Sequence, residues 1–209
     1  MLNALIIFIK NPELGKAKTR LAATVGDEKA LIVYRYLLQH TRDNAEKLDV
    51  KRLLFYSKAV DLNDEWPNDL FQKELQHPSP NLGDKMLDAF QRASQEGLEK
   101  VMIIGSDCFD LSSKILEQGF EALEKNDAIL GKAFDGGYYT IGFNFSQLGE
   151  KLDEVLKSLF LNKEWSHENV GQQAEDAFIE NKLSYSLLPT LNDVDTEKDL
   201  KGELLDLIR

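Results

Sequence analysis

The sequence predicts an α/β sandwich built on a mostly parallel sheet. Short apolar, β-branched runs alternate with longer stretches whose apolar residues recur at helical spacing. Strand followed by helix, repeated along a chain, is the pattern of parallel strands joined by helical crossovers. Asp135-Gly136-Gly137 between two apolar runs is a hairpin signal, so one antiparallel pair is expected to interrupt the parallel order. A length of 209 residues with 43% hydrophobic content suits one domain spanning residues 1–209 with a sizeable core.

The elements follow in order. Leu5-Ile6-Ile7-Phe8-Ile9 marks a strand over Ala4–Ile9, which Pro12 and Gly15 then break. A helical pattern begins near Thr19, and the spacing predicts a helix over Glu28–Leu48. Arg52–Ser57 reads as the second strand, and the polar, proline-bearing stretches Asp61–Asp69 and His77–Asn81 read as loops. Helix Gly83–Glu96, strand Val101–Gly105 and helix Ser112–Lys125 come next. Ala128–Ala133 and Tyr138–Phe143 are the arms of the hairpin. Helices over Asp153–Phe160 and Glu168–Asn181, a strand over Ser184–Leu188 and a helix over Glu197–Ile208 complete the chain. No internal repeat, low-complexity tract or dividing linker stands out.

Charge narrows the function classes. With 36 acidic against 25 basic residues, the surface repels nucleic acid and anionic membranes, so neither is an expected partner. The single Cys108 cannot form an internal disulfide and fits a reducing, cytoplasmic setting, as an inert buried thiol. The N-terminal apolar run is too short for a signal peptide core, and no stretch is long enough to span a bilayer. His40, His77 and His167 show no metal-ligand spacing and read as surface or helix residues. Serine-hydrolase and dinucleotide-binding glycine motifs are missing as well.

Against that acidic background one loop is basic. Lys10, Lys16, Lys18 and Arg20 fall within eleven residues that contain one acid, Glu13. Strand, glycine-containing turn and cation-rich helix start is how a phosphate cradle is built, although the loop taken alone reads equally as a solvated basic turn and its spacing is not that of a Walker A loop. Gly105-Ser106-Asp107-Cys108 follows a strand, which places Asp107 at a carboxyl end suited to a Mg²⁺ or Mn²⁺ ion on a phosphate. Asp110 reads instead as the cap of the helix near Ser112. Asn192-Asp193-Val194-Asp195-Thr196 offers a second carboxylate, while Thr196 and Asp199 have capping-box spacing. Asp135-Gly136-Gly137 is either a plain turn or a place where backbone meets ligand. Leu82-Gly83-Asp84-Lys85-Met86 starts a helix that could border a nucleotide pocket. Trp165 reads as core or pocket lining, and Ser166 as the cap of the next helix.

Taken in order, these blocks resemble the nucleotide-diphospho-sugar transferase superfamily, specifically its glycosyltransferase A-like, DUF2064-like branch known as radical-SAM/selenodomain-associated transferase 1. The resemblance rests on Lys10-Asn11-Pro12, Gly15-Lys16-Ala17-Lys18-Thr19-Arg20-Leu21, Leu82–Met86, Gly105–Cys108, Asp135–Tyr139, Trp165-Ser166 and Asp193–Thr196. It implies a Rossmann-like, three-layer α/β/α sandwich of the GT-A type. Lys10, Gly15, Lys16, Lys18, Arg20 and Gly83 would bind the nucleotide, with Lys16, Arg20 and Asp135 taking part in catalysis. Gly136, Gly137 and Trp165 would lie on the acceptor side, and Asp107 and Asp195 would hold Mg²⁺ or Mn²⁺. Phe109, Lys132 and Thr140 depart from the family pattern, which touches acceptor specificity more than nucleotide binding.

The leading expectation is a metal-dependent transferase that moves the glycosyl group of a nucleotide sugar to a small acceptor. A guanylyltransferase-like nucleotidyl transfer from a nucleoside triphosphate is the alternative, favoured by three cations in one loop. From a different class comes a non-catalytic nucleotide-binding module.

Overall fold

The first strand needs cover on both faces, and it receives it. In β1 (Asn3–Ile9), Ala4 and Ile6 point into one buried cluster while Leu5, Ile7 and Ile9 point into another. This two-residue period places a continuous apolar run at the centre of a sheet rather than on its surface. The computed structural model describes residues 2–165 and 167–209, so the expected capping role of Ser166 lies outside the described residues.

After β1 the chain forms α1 (Thr19–Val25), α2 (Asp27–Ala45), β2 (Lys51–Tyr56), β3 (Gln72–Leu75), α3 (Leu82–Gln95) and β4 (Lys100–Ile104). It continues through α4 (Ser113–Leu123), β5 (Ala128–Lys132), β6 (Tyr138–Asn144), α5 (Phe145–Leu148), α6 (Leu152–Phe160), α7 (Val170–Glu180), β7 (Tyr185–Leu187) and α8 (Glu203–Asp206). The seven strands make one sheet in the order β3-β2-β1-β4-β6-β5-β7. β6 alone runs against the rest, antiparallel to both β4 and β5. The hairpin signal at Asp135-Gly136-Gly137 therefore marked the reversed strand, which takes two antiparallel partners rather than one.

Helices α3, α6 and α7 pack on one face around Phe90, Phe143, Phe160 and Phe178. Phe90 stacks on Phe160 with ring centroids 5.6 Å apart and meets Phe143 edge-on at 5.2 Å. Helices α2 and α4 cover the other face through Tyr34, Leu38, Leu116 and Phe120. The result is the three-layer sandwich. β1 lies between β2 and β4, so the strand order reverses beside it and opens a crevice at the carboxyl ends of β1 and β4.

Three expectations change. β3 falls in a polar stretch, Gln72-Lys73-Glu74-Leu75, that carries no apolar alternation. It forms as an edge strand through parallel pairing with β2, and the Lys73–Asp64 ion pair at 2.7 Å ties it to the preceding loop. The helix expected over Glu197–Ile208 is a 3-10 turn, Glu197–Asp199, and the short α8, separated where Leu200 turns extended (ψ 123°). Leu200, Leu204 and Ile208 bury against Val33 and Leu37 of α2, and that burial outweighs local helical spacing. Asp110 does not cap α4, which begins after Ser112, and the Ser113 amide donates to Asn44 Oδ1 at 2.9 Å.

At Gly83 helix α3 comes close to the end of α6. Asn81 caps α3 by accepting from the Gly83 amide at 2.7 Å. A Cβ on Gly83 would stand 2.0 Å from the Phe160 carbonyl oxygen at the end of α6. Gly83→Ala is therefore expected to lower stability by about 1–3 kcal/mol, read as a lower urea midpoint. An unchanged midpoint would show that the helices do not meet so closely.

Candidate functional site

Two loops meet at the crevice, one from each strand that flanks it. After β1, Asn11 is fixed by donating to the Ala59 carbonyl at 2.8 Å and accepting from the Lys58 amide at 3.0 Å. The amides of Lys16 and Ala17 turn back to the Glu13 carbonyl at 3.1 and 3.4 Å, so they serve the turn rather than a ligand. Tyr34 of α2 holds the loop's start, accepting from the Lys10 amide and donating to the Lys10 carbonyl, both at 2.9 Å. Burial, with Asp107 nearby, pushes the Tyr34 phenol far above its ordinary range, so it stays protonated as a donor.

The third contributor is the segment after β7. Leu191 exchanges backbone hydrogen bonds with the hairpin, donating to the Lys132 carbonyl at 3.1 Å and accepting from Phe134 at 3.0 Å. The Val194 amide then donates to the Asp107 carbonyl at 2.9 Å. That bond places Asp193 and Asp195 on either side of a residue docked against Asp107. The capping box forms as the spacing predicted, with the Asp199 carboxylate accepting from the Thr196 and Asp195 amides at 2.7 and 3.1 Å.

Charge concentrates where these segments converge. Lys18 Nζ lies 2.7 Å from Asp107 Oδ1 and 3.6 Å from Asp195 Oδ1. Arg20 approaches Asp195 from its other side, donating to Oδ2 at 3.0 Å. The Lys18 side chain is only 5% exposed. Its contact with Asp107 is an ion pair whose angle misses that of a hydrogen bond, and Nζ has no hydrogen-bond acceptor among the described residues. Lys18 also precedes α1 in the left-handed backbone region, at φ 50° and ψ 47°, a conformation that costs about 1–3 kcal/mol for such a residue. Among the described residues no three histidine, cysteine, aspartate or glutamate side chains converge as a ready-made metal site. The arrangement is two carboxylates around one internal cation.

A cleft of about 590 Å³ opens here, lined by Lys10, Lys18, Thr19, Arg20, Asp107, Asp135, Gly137, Trp165, Asp193 and Asp195, with His167 and Glu168 at one side. Asp193 is the surprise. Burial, then the neighbouring Asp107 and Asp135, push its carboxyl up to about 7, against a smaller opposing pull from Lys18. An adjoining slot of about 360 Å³ runs under the carboxyl ends of β1 and β4, lined by Phe8, Met86, Ile103, Tyr138, Ser57 and Gln76. The Gln76 amide group donates to the Ile9 and Phe55 carbonyls, both at 3.1 Å, which fixes the side chain in place.

The structure thus gathers Lys10, Lys18, Arg20, Asp107, Asp135, Gly137, Trp165 and Asp195 around one cleft. Others stand apart. Lys16 is exposed and borders a neighbouring depression of about 350 Å³ that shares Lys10 with the cleft and Ser57 with the slot. Gly15 sits beside the Asp27 carboxylate at the start of α2. Gly83 is buried against Phe160, leaving its neighbours Leu82, Lys85 and Met86 to border the slot. Gly136 backs the cleft wall: at φ 91° it lies so close to the Glu168 carbonyl that a Cβ would stand 1.9 Å away, and its own carbonyl accepts from Gly171 at 2.8 Å. Trp165 is both core and lining, stacked on Phe160 at 6.5 Å and edge-on to Tyr138 at 6.4 Å. Tyr34, Gln76, His167 and Glu168 were not singled out as site residues from sequence. Tyr34 sits at core spacing in a helix, and its phenol's reach to Lys10 leaves no sequence signal. Cys108 is buried, its thiol pushed up to about 12 chiefly by burial, as expected of an inert thiol.

Comparison with known proteins agrees with this architecture. No curated protein matches the chain in sequence. Among solved structures, a protein from Desulfovibrio desulfuricans G20 named as a candidate nucleotide-diphospho-sugar transferase is 28% identical, with a TM-score of 0.84 over 99% of this chain and 96% of that one. The 4-diphosphocytidyl-2C-methyl-D-erythritol synthase of Anaerococcus prevotii is 13% identical, with a TM-score of 0.58 over 99% and 96% of the two chains. The inositol-1-phosphate CTP transferase of T. maritima is 14% identical, with a TM-score of 0.56 over 100% and 95%. At those lower identities the likeness is one of fold. The family described as "Uncharacterized protein conserved in bacteria (DUF2064)" matches residues 41–167, more than half of the sequence, and the chain belongs to that family.

Proposed function

We propose that the chain is a transferase that binds a nucleotide sugar with a divalent cation and moves the glycosyl group to a small acceptor. The observation that carries this reading is the cluster of Lys18, Arg20, Asp107 and Asp195 at the reversal of strand order, beside an apolar slot of nucleoside size. The nucleoside lies in the slot, its diphosphate faces Lys10, Lys18 and Arg20, and the sugar and acceptor lie toward Asp135, Gly137 and Trp165. The likeness to the D. desulfuricans protein supports the same reading.

Asp107 and Asp195 suit Mg²⁺ or Mn²⁺. Two carboxylates completed by phosphate oxygens form a normal hard-cation environment, and the pair already surrounds one positive charge. When bound, the ion offsets the charge that builds on the departing nucleoside diphosphate. Lys18 and Arg20 share that task through charge-assisted hydrogen bonds, and Asp135 contacts the acceptor. Positioning and charge carry such a reaction, with no nucleophilic side chain required.

Nucleotidyl transfer remains the second reading, because cytidylyltransferases share the fold. Lys16 borders a neighbouring depression, but Lys10, Lys18 and Arg20 line the cleft, a count of cations that suits a triphosphate as well as a diphosphate.

Four outcomes test the proposal. In thermal-shift titrations, nucleotide sugars with Mg²⁺ or Mn²⁺ are expected to raise Tm, and Asp107→Asn is expected to abolish the metal-dependent part. A shift confined to nucleoside triphosphates would select nucleotidyl transfer, and an unaltered response in Asp107→Asn would remove Asp107 from the site. Arg20→Ala is expected to weaken the nucleotide on the order of tenfold, against less than about twofold for Lys16→Ala; the reverse ranking would relocate the phosphates. Finally, an unfolded Asp193 titrates near the ordinary value of about 3.9 whereas the folded one holds its proton to about 7. The unfolded chain loses that proton first, so Asp193 lowers stability progressively between about pH 4 and pH 7. Asp193→Asn should match the parent's Tm near pH 4 and exceed it increasingly up to pH 7. A difference independent of pH would contradict the raised carboxyl.

A further inference from the structure

We propose that the Lys18 ammonium is an internal stand-in for the divalent cation, so that metal is excluded from the empty site and enters only together with a phosphate that draws Lys18 away. This deepens the nucleotide-binding reading above and rests on it. Lys18 Nζ stands within 3.6 Å of both carboxylates assigned to the metal, and closest to Asp107 at 2.7 Å. An ammonium and a divalent ion cannot share one pair of carboxylates at that spacing without strong repulsion, so occupancy by one excludes the other.

The Lys18 position suits a displaceable group. Its side chain is nearly sealed from water, yet Nζ makes no well-angled hydrogen bond to any described residue. With three donors and one close carboxylate partner, the ammonium has donors to offer a new acceptor. A phosphate oxygen in the cleft is such an acceptor, and it also completes the coordination of a metal on Asp107. Lys18 sits at the end of the loop, directly before α1. Arg20 also pairs with Asp195, but its side chain is 70% exposed and lies on the far oxygen, Oδ2, rather than between the two carboxylates. Removing Arg20 therefore subtracts the same charge without vacating the place of the metal.

The test is the Mn²⁺ affinity of the nucleotide-free protein, followed by the electron paramagnetic resonance signal of free Mn²⁺. Lys18→Gln is expected to bind Mn²⁺ at least about tenfold more tightly than the parent, while Arg20→Gln gains less than about threefold. Lys18→Gly, which tolerates the left-handed backbone, is expected to show the same gain should the Gln variant fold poorly. Adding Asp107→Asn to Lys18→Gln should erase the gain. An affinity unchanged or weakened in both Lys18 variants would overturn the proposal, as would equal gains for Lys18→Gln and Arg20→Gln. Its failure is separable from that of the function: a flat Lys18 titration while Asp107→Asn still abolishes metal-dependent nucleotide binding removes the stand-in alone.

Discussion

The Val194 amide, bonded to the Asp107 carbonyl, is the contact on which the site depends. It joins residues far apart in sequence and sets the Asp193–Asp195 carboxylates against the carboxyl end of β4. The sheet makes that bond possible. β5 and β7 pair in parallel, and Leu191 extends the pairing along the hairpin until the chain reaches Asp107. Without that extension, Asp107 would stand alone at a strand end and Lys18 would have one partner. With it, five carboxylates, Asp107, Asp135, Asp193, Asp195 and Glu168, line the same cleft as Lys10, Lys18 and Arg20.

That surplus of negative charge explains the electrostatics of the site. Asp193 keeps its proton to about pH 7 because burial and its acidic neighbours penalise a further charge. Lys18 and Arg20 neutralise Asp107 and Asp195 from inside and outside. A cleft so composed is balanced when a cation and a polyphosphate enter as a pair, since the first answers the carboxylates and the second answers the lysines and arginine. The apolar slot beside it has the opposite character, with Gln76 locked by two backbone carbonyls among aliphatic and aromatic walls. A ligand with an apolar-faced ring at one end and charge at the other matches both halves.

Much of this was legible in the sequence because the deciding signals are local. The alternation of Val101–Gly105 or Ala128–Ala133 with helical segments is a short-range pattern, and so is a glycine-rich turn between two apolar runs. The place of Asp107 beside the cleft was legible for the same reason: a carboxylate after an apolar strand lies at the carboxyl edge of such a sheet. What escaped depends on contacts between distant segments. β3 is polar and exists through its pairing with β2, and the final helix is broken by burial of Leu200, Leu204 and Ile208 on α2. Lys16 and Lys18 are two residues apart and look equivalent in sequence, yet the turn closed on the Glu13 carbonyl sends one outward and the other between two aspartates. Gly83 and Gly136 were read toward a ligand, whereas each answers first to a neighbouring backbone carbonyl.

The central claim is that one pocket unites the loop after β1, the end of β4 and the segment after β7 around a metal–diphosphate unit. Its most direct test is a crystal structure grown with a nucleoside diphosphate and Mn²⁺, with the ion located by its anomalous scattering. The account predicts Mn²⁺ bound by Asp107 and Asp195, diphosphate oxygens against Lys18 and Arg20, and the base in the slot beside Gln76. Mn²⁺ bound away from both aspartates, or a diphosphate held by Lys16 and Lys58 outside the cleft, would contradict it.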